Sequence, residues 1–152
     1  MPPPDTPEPA RARLSLLDRL VDEAPGEDPE GTLRRTATAE ELKAFVRRDL
    51  EWLLSTRRTL VRDRPLRGER TVTEYGLPDF SPVSPGDQQA LNEVAREVRR
   101  AIEAFEPRLQ DVRVTVEPAL APGRVTARVE ALLVVGEVRR PVAFPFKIRT
   151  SG

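Results

Sequence analysis

From Val112 onward this chain holds three runs in which apolar residues fall on every second position, and that pattern limits what the remainder can be. Val112, Val114 and Val116 alternate with Arg113, Thr115 and Glu117. Val125, Ala127, Val129 and Ala131 repeat the alternation, and Val142, Phe144, Phe146 and Ile148 do so again. Successive side chains of a strand leave the backbone on opposite sides, so a period of two places one face against a core and the other against water. Pro118, Pro122 and Gly123 supply a turn between the first two runs. Leu132-Leu133-Val134-Val135 prolongs the second, and Gly136-Glu137 turns the chain into the third. The pattern predicts a three-stranded antiparallel meander.

A sheet with one apolar face needs a cover, and the preceding sequence offers two amphipathic helices. The first starts at Thr38, with Glu41 placed to complete a capping box, and runs to about Leu54. Its apolar face is Leu42, Phe45, Val46, Leu50, Leu53 and Leu54. The second is expected to start at Ser84-Pro85-Gly86-Asp87, with Ser84 as cap, Pro85 in the first turn and Asp87 facing the helix dipole. Leu91, Val94, Ala95, Val98, Ala101, Ile102 and Phe105 recur at helical spacing. The helix stops at Phe105-Glu106-Pro107-Arg108, because proline disfavours helical geometry in the residue before it. The fold class is therefore α+β, with helices packed on a small three-stranded antiparallel sheet and a disordered Pro-rich tail ahead of them.

The third strand carries a further constraint. Pro141 and Pro145 share one parity, so both missing amides fall on one edge, while 142, 144, 146 and 148 keep theirs for the neighbouring strand. This reads as an edge strand protected from indiscriminate pairing.

Residues 1–10 are rich in proline and acids and are expected to form a disordered tail. Residues 11–37 form a docking segment and loop. Within it, Leu14, Leu17, Leu20 and Val21 give a helical stripe over positions 11–21, too short to stand alone in water. Residues 38–152 form a single α+β domain. Between the helices, the stretch from Thr56-Arg57-Arg58 through Gly76, Pro78, Pro82 and Pro85 is long for a structureless loop, which points to function.

Composition removes most catalytic chemistries. Among 152 residues there is no Cys and no His. This excludes disulfides, thiolate and Ser-His nucleophiles and the usual zinc ligand sets, and no cofactor or metal is expected. Lys plus Arg and Asp plus Glu both total 25, so no net field draws the chain to nucleic acid or an anionic membrane. The start lacks the basic and apolar segments of a secretory signal, and no apolar run reaches the ~20 residues a membrane helix needs, so a cytoplasmic protein is expected.

A glycosidase would need two carboxylates across a cleft, and Glu74, Asp79 and Glu106 are the candidates. Acids here have arginines close in sequence, as Glu106 has Arg108, and the chain has one Trp and one Tyr from which to build a sugar platform. Glu106-Pro107-Arg108 reads either as a helix stop with a solvated ion pair or as a stiff corner that aims a carboxylate and a guanidinium at a partner. Tyr75-Gly76-Leu77-Pro78-Asp79-Phe80 is either an anchored loop or a docking surface. Arg57, Arg58, Arg62, Arg64, Arg67 and Arg70 form a basic cluster, diluted by Asp63, Glu69 and Glu74, which reads as a solvated face.

Four segments together resemble a known family. They are Ser15-Leu16-Leu17-Asp18-Arg19-Leu20, Arg48-Asp49-Leu50-Glu51-Trp52-Leu53-Leu54-Ser55-Thr56-Arg57-Arg58, Tyr75-Gly76-Leu77-Pro78-Asp79 and Phe105-Glu106-Pro107-Arg108-Leu109. In this order they resemble TssE, the type VI secretion baseplate subunit, and through it the wedge proteins of contractile phage tails that carry a "lysozyme-like" label. The resemblance implies a non-enzymatic subunit of a baseplate wedge with TssF, TssG and TssK, which offers its sheet as a template for the sheath proteins TssB and TssC. It implies assembly at the inner face of the cell membrane, without membrane insertion or nucleic acid. Glu106, Pro107 and Arg108 are then contact residues, joined as candidates by Tyr75, Leu77, Asp79, Arg57, Arg58 and the strand positions Val142, Phe144, Phe146 and Ile148. On this view Arg108→Ala weakens assembly and leaves the isolated fold intact. A subunit of a phage tail or extracellular injection system, and a peptidoglycan hydrolase using Glu106 or Glu74, are the alternatives.

Overall fold

The computed structural model describes residues 11–13, 36–58 and 74–150. The elements in chain order are β1 (Arg11–Arg13), β2 (Thr36–Thr38), α1 (Ala39–Ser55), α2 (Gln88–Phe105), β3 (Leu109–Pro118), β4 (Arg124–Val135) and β5 (Val138–Arg149). β3, β4 and β5 form the antiparallel meander in that order, and both helices contribute to the core on its apolar face. The α+β architecture is the one the two periodicities require.

α1 begins as its sequence dictates. The Thr38 hydroxyl accepts from the Glu41 amide at 3.3 Å, and the Glu41 carboxylate accepts from the Thr38 amide at 2.9 Å. Two amide donors that the helix cannot satisfy internally are thereby answered. Leu42, Val46, Leu50 and Leu53 are buried, and Phe45 and Leu54 pack at the margin. Burying an aliphatic side chain of this size stabilises by roughly 1.5–3 kcal/mol before the entropy of ordering is subtracted.

α2 differs from expectation at its start. Asp87, not Ser84, is the cap, and its carboxylate accepts from the amides of Gln89 (2.9 Å) and Ala90 (3.2 Å). The Ser84 carbonyl instead accepts from the Asp87 amide at 3.1 Å, which closes a turn ahead of the helix and takes Pro85 out of it. A carboxylate facing the helix dipole wins over a neutral hydroxyl further upstream. Leu91, Val94, Val98, Ala101 and Ile102 are buried, and the helix ends before Pro107 as expected.

The segment expected to be helical over 11–21 is a strand at its start. Arg11–Arg13 pair antiparallel with Thr36–Thr38, and β1 lies against α1 and β4. Ladder hydrogen bonds from a neighbouring strand outweigh a helical tendency that was marginal. Positions 14–21, the tail 1–10 and the basic positions 62, 64, 67 and 70 lie outside the described residues.

In the meander, Val125, Ala127, Val129, Ala131, Leu133 and Val135 of β4 and Phe144, Phe146 and Ile148 of β5 are buried, while their sequence neighbours turn outward. Val135 pairs with Val138 across Gly136-Glu137, and Gly136 has φ 62° with Glu137 outside the positive-φ set, as a II′ hairpin turn requires. β3 carries a bulge between Gln110 and Arg113, where Asp111 sits at φ 52°. The extra residue resets the alternation, so Leu109 and Val112 are both buried despite opposite parity.

Candidate functional site

The candidate residues meet where α2 ends. Phe105 closes the helix, Pro107 forbids its continuation, and the chain turns so that Glu106 and Arg108 face the side of α1. Arg108 Nε and Nη2 donate to Glu106 Oε1 and Oε2, each at 2.6 Å, so one guanidinium edge spans both carboxylate oxygens. Arg108 Nη2 also donates to Asp49 Oδ2 of α1. Arg48 donates from Nη2 to the other Asp49 oxygen at 3.2 Å, and its guanidinium lies 5.3 Å from the Phe45 ring and 5.2 Å from the Trp52 ring. The result is a charge-balanced chain of Trp52, Arg48, Asp49, Arg108 and Glu106 that ties α1 to the α2–β3 corner.

Glu106 is only 4% exposed. A carboxylate that deep is tolerated when its charge and lone pairs are answered, and Arg108 answers both. Burial works against the Arg108 charge, but the hydrogen bonds to Glu106 and Asp49 outweigh it and raise its pKa. Tyr75 stacks edge-on against Phe105, with ring centroids 5.3 Å apart. Its pKa is raised, first by burial and then by the negative charges of Asp49 and Glu106.

The loop that carries Tyr75 is clamped to the end of α1. The Leu77 amide donates to the Thr56 carbonyl at 2.9 Å, and the Arg58 amide donates to the Leu77 carbonyl at 2.7 Å. Gly76 permits this approach: its φ is 103°, and a Cβ there would lie 2.5 Å from the Thr56 oxygen. Leu77 and Phe80 consequently point into the core, and Asp79 stays exposed. Asp79 is held by the Ser81 amide at 3.0 Å and by Arg57 at 3.3 Å, and its pKa is lowered, chiefly by Ser81. Arg58 turns toward α2 and pairs with Glu97 at 3.3 Å.

The structure thus brings Glu106, Pro107, Arg108 and Tyr75 together with Asp49, and holds Arg57, Arg58, Leu77 and Asp79 on an adjoining loop base. It does not bring the β5 positions to this site. Phe144, Phe146 and Ile148 are core residues, Val142 is half-buried, and all four belong to the parity that pairs inward with β4. Asp49, Arg48 and Phe105 were not singled out from sequence as site residues. Asp49 and Arg48 stand in one of the four segments that carry the family resemblance, but nothing in their spacing says that Asp49 meets Arg108, which lies 59 residues further along the chain. Neither Asp79 nor Glu106 is an unengaged carboxylate, since each has basic or amide donors upon it. Among the described residues no group of His, Cys, Asp and Glu could hold a metal ion, and no helix is long and apolar enough to cross a membrane.

A family profile described as baseplate wedge protein gp25 matches residues 40–137, from the first turn of α1 to the hairpin turn before β5. The chain belongs to the gp25 baseplate wedge family. Membership agrees with the resemblance drawn from the four segments, and assigns the protein a structural role in a baseplate. Two solved structures share the fold of this gp25 family member. One is from the baseplate complex of the type VI secretion system, with 19% identity, a TM-score of 0.54, and coverage of 73% of this chain and 97% of that one. The other is a protein of Geobacter sulfurreducens provisionally named a tail lysozyme, with 23% identity, a TM-score of 0.50, and coverage of 76% and 96%. No curated protein matches the chain.

Proposed function

We propose that this protein is a non-enzymatic subunit of a type VI secretion baseplate wedge, which joins the wedge proteins TssF, TssG and TssK and nucleates the sheath proteins TssB and TssC. The observation that carries this reading is the family match across both helices and the β3–β4 pair. A chain of a type VI secretion baseplate complex shares the fold, which supports this reading. On this reading the assembly sits in the cytoplasm at the inner face of the membrane. The corner of Glu106, Pro107 and Arg108 presents a pre-shaped, internally tied edge to the wedge, and the loop of Tyr75, Leu77 and Asp79 with Arg57 and Arg58 forms its flank.

Sheath attachment falls to the free edge of β5. Proline cannot donate to a ladder, so Pro141 and Pro145, opposite Leu132 and Arg128, occupy the positions whose backbone groups face away from β4. By the same parity the outward donors of β5 are the amides of Arg139, Ala143, Lys147 and Arg149. An added strand therefore has a restricted register, which suits a template that must admit one partner.

Tagged protein co-expressed with the wedge and sheath proteins is expected to recover TssF, TssG and TssK, and recovery of none of them overturns the reading. Ala143→Pro removes an outward donor without touching the pairing of β4 with β5. This variant should keep the wedge partners and lose TssB and TssC. The purified protein should leave a peptidoglycan suspension turbid; clearing that disappears on Glu106→Gln or Glu74→Gln would establish a hydrolase instead.

A further inference from the structure

The sheet face turned away from the helices carries cations that its surroundings do not balance. Arg113 of β3, Arg124 and Arg128 of β4, and Lys147 and Arg149 of β5 are all exposed and alternate with core residues, so they belong to the outer face, with Lys147 at the β5 edge also bordering a cleft that Arg47 and Glu51 of α1 help to line. The register sets Arg124 directly opposite Arg149, Lys147 opposite Thr126 and Arg128 opposite Pro145, while Arg113 alone faces an acid, Glu130, so the unbalanced charge lies with the four cations of β4 and β5. Like charges directly across a ladder destabilise it, so the pairing of Arg124 with Arg149 is a local cost that folding alone does not explain.

The helices are built differently. Arg47 pairs with Glu51, Arg96 with Glu93, Arg99 with Glu103 and Arg100 with Glu97. Among the described residues none of the five sheet cations takes part in an ion pair, although Glu117 and Glu130 stand on the same face. The whole chain has equal numbers of acids and bases, so the excess of positive charge is a property of this face and not of the protein.

We infer that the outer face of the β3–β4–β5 sheet is a docking surface for a protein partner that presents acidic side chains. The two carboxylates decide against a polyphosphate: Glu117 and Glu130 would each oppose a nucleic-acid backbone, whereas a protein can meet them with its own lysines. A face held by two hairpins and backed by the core needs little ordering on binding, which keeps the entropic cost low. Attraction of this kind acts mainly on the rate of encounter and weakens with salt.

The test uses the full chain and, as the probe, a fluorescently labelled glutamate–lysine copolymer with glutamate in excess. Binding followed by anisotropy should be present at low salt and fall as salt is raised. The double variant Arg124→Glu with Arg149→Glu should weaken it by about tenfold or more. The variant Arg128→Glu should weaken it as well, and guards against misfolding of the first. A double variant on α2, Arg96→Glu with Arg99→Glu, should bind as the parent does. Absence of salt-sensitive binding, an equal loss in the α2 variant, or tighter binding to single-stranded DNA or to phosphatidylcholine vesicles containing phosphatidylserine would each overturn the inference.

Discussion

Arg108 is reached by two carboxylates from different parts of the chain, and its removal would leave Glu106 buried with its charge unanswered. Breaking a buried pair from one side is costly, so Arg108→Ala is expected to lower unfolding stability by about 3 kcal/mol in urea titration. This replaces the expectation that the isolated fold would be untouched. Arg108→Lys should recover only part of the loss, because an ammonium cannot span both Glu106 oxygens and still reach Asp49. An unchanged urea midpoint in Arg108→Ala would show the corner to be a solvated pair. Tyr75 gives a second, spectroscopic handle, since it is the one tyrosine in the chain. Absorbance of the phenolate should report one transition centred above the ordinary tyrosine value of about 10. The raised pKa means the folded state favours the neutral phenol. Its contribution is therefore complete below the unfolded pKa and is lost as pH rises through the folded one. The alkaline fall in stability should be shallower in Tyr75→Phe than in the parent, and a transition at or below 10.0 would remove Asp49 and Glu106 from its surroundings.

At the level of elements, the start of α2 separates two carboxyl or hydroxyl caps by a few residues. Asp87→Ala should cost about 1 kcal/mol, whereas Ser84→Ala should cost a few tenths, as read from thermal midpoints. The reverse order would restore Ser84 as the cap. The existence, type and face of both long helices and of all three meander strands were legible from periodicity, because burial of one face writes itself into residue spacing. The end of α2 at Phe105 was legible too, since Pro107 acts through local sterics. What escaped was the competition between nearby options of similar energy: Ser84 against Asp87, or strand against helix at Arg11–Arg13. The β3 bulge escaped for a related reason, since an inserted residue leaves the apolar alternation of Val112, Val114 and Val116 intact and shows only in the register against β4.

At the scale of the whole molecule, two helices pack on one side of a meander, and β5 stands at its edge with no further strand among the described residues paired to it. Sequence by itself determined the α+β class, the core residues of α1, α2, β4 and β5, the protected parity of Pro141 and Pro145, and the motifs that carry membership of the gp25 family. These are consequences of spacing and of single-residue stereochemistry, which act over a few positions. Tertiary structure alone decided that Asp49 meets Arg108, that Leu77 and Phe80 turn inward behind Gly76, and that Arg124 faces Arg149. Asp49 and Arg108, Thr56 and Gly76, and Arg124 and Arg149 lie far apart along the chain and are joined only when elements pack. Their chemistry depends on distance and burial in space, which residue spacing does not encode.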